Sequence, residues 1–192
     1  MKNIAIFASG SGTNAENIIR YFAGSRTIKV AVVLSDNSKA GVHARVRDLG
    51  VPSWVFTRKE FTEAGLILDK LAEYKVEWII LAGFMNKISA PLLQAFPHRI
   101  VNIHPALLPG FGGKGMYGMH VHEAVVAAGA KESGITIHYI NENYDEGAVI
   151  FQASCPLLAS DTAREVADKI HLLEYAHYPP VIEGLVCPLH NN

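Results

Sequence analysis

Asn102-Ile103-His104-Pro105 closes an apolar run, Arg99-Ile100-Val101, and leads into Ala106-Leu107-Leu108-Pro109. The apolar run reads as the end of a buried strand, and the two prolines stiffen the turn that leaves it. An amide and an imidazole therefore stand at a rigid, loop-capped edge. In an open α/β sheet the carboxyl edge of the strands is where ligands sit. The pair suits acyl-group chemistry: an asparagine side chain can hold a developing oxyanion, and a histidine can move a proton near neutral pH.

A second candidate lies near the start of the chain. Ser9-Gly10-Ser11-Gly12-Thr13-Asn14-Ala15 joins the first apolar run to a helical pattern. Glycines let the backbone turn sharply, and free N–H groups at a helix start attract an anion. The same residues fit G-x-G-x-x-A, and Asp36 ends the second apolar run about where a ribose-binding acid would lie. A nicotinamide-dependent oxidoreductase is therefore one reading, and a plain tight turn another. Thr13 and Asn14 bring polar side chains where dinucleotide sites carry small or apolar ones. Nothing after Asn102 resembles a hydride-transfer site, which tilts the reading toward a monophosphate.

Nine histidines raise the question of a metal. His120-Val121-His122 would chelate only from an extended segment, because residues two apart on a helix point to different faces. No cysteine cluster or H-E-x-x-H pattern supports them. No metal is expected, and one of the pair is given a structural or substrate-facing role. His43, His98, His171, His177 and His190 have no partner pattern and default to surface or satisfied positions. His138 differs. In Gly134-Ile135-Thr136-Ile137-His138-Tyr139 the alternation sets Thr136 and His138 on one face of a strand, and Asp145 follows in the adjoining turn.

The elements that must position these groups alternate in type. Apolar runs at 4–8, 30–34, 78–82 and 100–101, with a shorter one at 53–56, read as strands buried on both faces. Helical patterns lie between them at 15–23, 42–49, 61–74 and 91–96. This order predicts an α/β fold with a doubly wound, mostly parallel sheet and right-handed crossovers. Residues 110–118 hold five glycines and read as a mobile loop. A helix over 117–128 follows. Strands at 133–141 and 148–153, joined by a polar turn, form a C-terminal antiparallel hairpin. Ser160 is expected to cap a final helix running to about Tyr175.

The 192-residue length predicts one domain, 1–192, with a phosphate-binding half over 1–100 and a catalytic half over 101–192. With 49% apolar and 18% charged residues the composition is that of a soluble globule. The net charge of -1, with no basic cluster longer than Arg58-Lys59, argues against nucleic acid as a partner. Cys155 and Cys187 show no metal or redox spacing and read as reduced thiols. No apolar run is long enough to span a membrane, and the N-terminus does not read as a signal peptide. The expectation is a cytoplasmic protein with small-molecule partners, a monomer or homodimer.

Taken together, Asn102-Ile103-His104-Pro105-x-Leu107-Leu108-Pro109, the glycine loop after it, Thr136-x-His138 and Asp145-x-Gly147 resemble the folate-dependent formyltransferases. Gly10-x-Gly12-Thr13-Asn14 and the short length make the chain similar to the branch that formylates 5-phosphoribosylglycinamide in purine synthesis. The resemblance implies 10-formyltetrahydrofolate as co-substrate, no metal, and Asn102, His104 and Asp145 as the catalytic set. It implies that Gly12, Thr13 and Asn14 take the substrate phosphate and Glu174 the ribose hydroxyls. Met85, Asn86, Lys87 and Ile88 would line the pterin pocket beside Asn102. Asn141, Glu142, Asn143, Tyr144 and Asp145 would form the folate-binding loop, which belongs to the catalytic half. Thr136 and His138 would support the Asp145 carboxylate.

The chain departs from the family pattern at Asn86, where arginine is common, at Ala106 for serine, and at Asp145-Glu146-Gly147 for Asp-Gly-Gly. The 110–118 loop also looks longer than usual. Related formyl enzymes that act on transfer RNA or hydrolyse formyltetrahydrofolate should carry an additional domain, of which the sequence gives no sign. A non-enzymatic folate- or nucleotide-binding regulator would leave the Asn102, His104 and Asp145 grouping unexplained.

Overall fold

The computed structural model describes residues 1–188. The first half alternates as expected: β1 (Lys2–Phe7), α1 (Thr13–Phe22), β2 (Ile28–Ser35), α2 (Val42–Asp48), β3 (Ser53–Val55), α3 (Arg58–Glu63), α4 (Gly65–Glu73), β4 (Val76–Leu81) and α5 (Ala90–Ala95). Then follow β5 (Ile100–His104), α6 (Met119–Ala127), β6 (Glu132–Tyr139), β7 (Val149–Pro156) and α7 (Ala163–Val186). One sheet runs in the order β3-β2-β1-β4-β5-β6-β7. The strands β1 to β5 pair in parallel, whereas β6 is antiparallel to both β5 and β7. The doubly wound sheet with its terminal hairpin and final helix is thus observed.

Period-two alternation divides the core into two layers. Ile4, Ile6, Ile80, Val101, Ile103 and Ile137 pack against apolar residues of α1, α2, α6 and α7. Ala5, Phe7, Leu34, Ile79, Leu81 and Ile100 pack against Phe61, Ile67, Leu71 and Leu92 of α3, α4 and α5. The second layer stops at Ile100 of β5, with Ile140 just beyond β6. Farther along that same face, loops rather than helices cover the sheet, and the polar residues of β5 and β6 lie under them.

Three boundaries differ from expectation. The 61–74 helix is two helices, because a Thr57–Glu60 capping box starts the first one early and Ala64 takes a left-handed φ of 59° between them. Helix α6 starts at Met119 rather than at 117, since Gly118 adopts φ 55°, ψ -137°, outside helical space.

The final helix is capped by Thr162, boxed with Glu165, not by Ser160, and it runs on through Pro179 and Pro180 to Val186. A proline has no N–H for the carbonyl four residues earlier. Pro179 leaves Tyr175 without that partner, and Asn17 Nδ2 donates to the Tyr175 carbonyl instead, at 3.1 Å. The buried Tyr178 hydroxyl lies 2.9 Å from the Leu81 carbonyl and 3.1 Å from that of Val101, which fastens the same turn to the sheet. His190 lies outside the described residues.

Candidate active site

Antiparallel register assembles one end of the candidate site. Asn102 pairs across the strands with His138, and His104 with Thr136. Directly opposed residues share a sheet face, so all four polar side chains stand together beyond the α3–α5 layer. The His138 Nδ1–H donates to its neighbouring Tyr139 carbonyl at 2.9 Å. Its Nε2 therefore carries a lone pair, which accepts from Asn102 Nδ2 at 3.1 Å. Burial lowers the His138 pKa, against the opposing pull of the Tyr139 carbonyl and Asp145, so the ring remains an uncharged acceptor. This bond fixes the Asn102 amide and leaves its second N–H free.

The loops after β5 and β6 close over these groups. His104 Nε2–H donates to the Phe111 carbonyl at 2.8 Å, while Nδ1 lies 3.7 Å from Asp145 Oδ2. The other carboxylate oxygen lies 3.7 Å from His138 Nε2. These separations exceed direct hydrogen bonds, so the carboxylate sits between two imidazoles at ion-pair distance. It is held there by the Gly113 N–H, 2.9 Å from Oδ2. The 110–118 segment, read as mobile, is thus tied to both His104 and Asp145. Asp145 takes a left-handed φ of 56°, a conformation that aspartate tolerates better than most residues. Two residues on, a Cβ on Gly147 would lie 1.7 Å from the Tyr139 carbonyl oxygen, so only glycine fits.

Thr136 does something other than support the carboxylate. Its hydroxyl donates to the Ala106 carbonyl at 2.7 Å and accepts from Leu108 N–H at 2.9 Å and Gln152 Nε2 at 2.8 Å. All its hydrogen-bonding capacity is used to shape the turn that follows His104.

The other end of the site is made at the start of α1. Gly12 sits at φ 80° and supplies no side-chain cap, leaving the first N–H groups of the helix open to an anion. A Cβ there would come within 2.6 Å of Val42, so the loop can pack on α2 only as glycine. Asn14 Nδ2 donates to Glu174 Oε2 at 2.8 Å, and Asn14 Oδ1 is buried without a partner among the described residues. Glu174 is 5% exposed, and burial raises its pKa to about 7 against the opposing Asn14 bond. His171 is half-exposed, in keeping with a surface position, and also lines the cleft 3.9 Å from Glu174, one turn before it on α7.

A cleft of about 540 Å³ joins the two ends. Its third wall carries Met85, Asn86, Lys87 and Ile88 opposite Asn141, Asn143, Tyr144 and Asp145. Glu142, expected with them, is exposed and does not line the cleft. Asn86 Nδ2 donates to Asp36 Oδ2 at 2.6 Å, so one oxygen of that acid is engaged by protein, while Oδ1 is buried without a partner among the described residues. Lys87 Nζ stands 5.8 Å from the Tyr144 ring centre. His120 and His122 diverge as helix geometry requires, one exposed and the other buried. Among the described residues no group of three or more His, Cys, Asp or Glu could hold a metal ion. The Phe111 carbonyl and Gly113 N–H carry no sequence signal, because backbone atoms are supplied by every residue.

The formyl transferase family pattern matches residues 2–182. The chain is 40% identical to the chloroplastic phosphoribosylglycinamide formyltransferase of Vigna unguiculata, across 96% of this chain and 61% of that protein. It therefore spans about three fifths of that plant relative. It is 37% identical to phosphoribosylglycinamide formyltransferase of Bacillus subtilis, across 97% of this chain and 95% of the other. The crystal structure of phosphoribosylglycinamide formyltransferase from Streptococcus pneumoniae TIGR4 superposes with a TM-score of 0.85 at 39% identity, over 96% of this chain and 99% of that one. Sequence, fold and an amide–imidazole–carboxylate cleft agree: the chain belongs to the formyl transferase family.

Proposed function

We propose that this chain transfers the formyl group of 10-formyltetrahydrofolate to the amine of 5-phosphoribosylglycinamide, a step of purine biosynthesis. One observation carries the reading: Asn102 and His104 of β5 and Asp145, far from them in sequence, meet in a cleft whose far end is an open helix start beside Glu174. The names of the relatives support the choice of substrates.

In this reading the phosphate lies against Gly12, Thr13 and Asn14. Glu174 and Asn14 Oδ1, two adjacent acceptors, take the vicinal ribose hydroxyls. The folate lies along Met85, Asn86, Lys87 and Ile88 and under the 141–145 loop. The amine attacks the formyl carbon, and the free N–H of Asn102 donates to the oxygen that gains charge, an effect of about 2.7–4 kcal/mol in comparable oxyanion sites. As the carbon–nitrogen bond to folate breaks, His104 passes a proton to the departing nitrogen. The proton lost by the amine returns through water and Asp145, whose carboxylate stabilises positive charge on the His104 ring. Holding both substrates in one cleft supplies much of the remaining acceleration. The chemistry needs no metal and no nucleic acid. We place the protein in the cytoplasm as a monomer or homodimer; among the described residues no helix is long and apolar enough to cross a membrane.

Incubation of the purified chain with 5-phosphoribosylglycinamide and a formyl-folate donor, followed by absorbance of the released folate, tests the reading. Turnover that needs both substrates is expected. Absence of turnover together with tight binding of NADH would hand the cleft to the dinucleotide alternative.

A further inference from the structure

We propose that His122 positions the glycinamide arm of the acceptor, taking a hydrogen bond from its amine so that the amine lone pair is left facing the formyl carbon. This inference rests on the function proposed above and assigns a role to a residue outside the catalytic set.

His122 lies on α6, is 3% exposed, and lines the cleft. Its Nδ1 is sealed from solvent and has no hydrogen-bond partner among the described residues. Buried polar atoms in folded proteins are nearly always paired, and an unpaired one in a cleft wall is where a ligand completes the set. Its neighbours mark the position. His104 stands toward the reaction end, while His171 and Glu174 of α7 stand toward the ribose end, and the charges of both histidines are felt at the His122 ring. A substrate with its phosphate at α1, its ribose at Glu174 and its amine near Asn102 must pass its glycinamide segment across the wall between them.

The electrostatics fit this task. Burial first, then His171 and His104, push the His122 pKa down to about 4, so the ring is uncharged at neutral pH. A cation there would repel an ammonium and could only donate to the amine, occupying the lone pair needed for attack. An uncharged imidazole offers an acceptor nitrogen, which takes an amine N–H and leaves that lone pair free.

The test compares binding of 5-phosphoribosylglycinamide with that of its analogue carrying methyl in place of the amine, by calorimetry on the wild-type chain and on His122→Leu and His122→Asn. Wild type should prefer the amine by about tenfold, the value of one neutral hydrogen bond. His122→Leu should lose the preference and raise KM for the acceptor without moving KM for the folate, and His122→Asn should restore part of both. Equal binding of the two compounds by wild type overturns the proposal without any variant. So does a folded His122→Leu that keeps the preference. Failure of wild type to formylate the acceptor would instead remove the function on which the inference rests.

Discussion

The two ends of the cleft are built by opposite means. At the α1 end one short loop offers open backbone N–H groups, and side chains that reach it from elsewhere, Glu174 of α7 and Arg45 of α2 among them, bond to the loop or to the first helical turn. At the β5 end three separated segments meet, and each side chain is held by a group from another segment: Asn102 by the His138 ring, His104 by the Phe111 carbonyl, and Asp145 by the Gly113 N–H. A recognition site can be local because an anion asks only for N–H groups and charge. A site that must move protons and hold a transient oxyanion asks for several side chains at fixed mutual distances, and a strand pair running in opposite directions provides that spacing.

If the contrast holds, damage at the two ends should have different signatures. Asp145→Asn should lower kcat by about 100- to 10,000-fold, the usual range for lost acid–base help. Calorimetric binding of the phosphate substrate should remain near normal, and near-normal turnover would remove the assigned role. Asn102→Ala should cost about 100- to 1,000-fold in kcat, measured at saturating concentrations of both substrates.

The α1 end should instead declare itself in stability. The folded protein holds a proton on Glu174 up to about pH 7, whereas the unfolded chain releases it near the ordinary glutamate value of 4.5. The folded state therefore binds more protons between these values, and stability falls as pH rises through that window. Glu174→Gln should remove this penalty, gaining up to about 3 kcal/mol at pH 8 and nothing at pH 4 by denaturant titration. A variant with no pH-dependent gain would mean that the carboxylate is better solvated than its burial implies. The smallest effect is expected from Asn17→Ala, which strips one hydrogen bond from the Tyr175 carbonyl and should cost about 1 kcal/mol in thermal unfolding.

Much of this architecture can be read from residue order alone. The alternation of apolar runs sets the parallel sheet, and the period-two pattern of Thr136 and His138 already puts two polar groups on one face. What that pattern does not contain is which loop will lie on them. Thr136 has the position expected, yet its hydroxyl is spent on Ala106, Leu108 and Gln152, a choice decided by the turn rather than by the strand. The extent of α7 is hidden for a similar reason. Two prolines normally stop a helix, and the group that compensates, Asn17, lies far away in sequence on another helix. His171 carries no local motif, and only its place one turn before Glu174 on α7 sets it at the cleft wall.

Asn14 and Asn17 stand one turn apart on α1 and grip adjacent residues of α7, Glu174 through its carboxylate and Tyr175 through its carbonyl. The pair works as a two-pin hinge plate screwed flat: it fixes both the separation and the rotation of one helix against the other. A ligand bridging them finds its two footholds already spaced, so little ordering is left for the moment of arrival, and a mutation loosening either pin would blunt the grip of both.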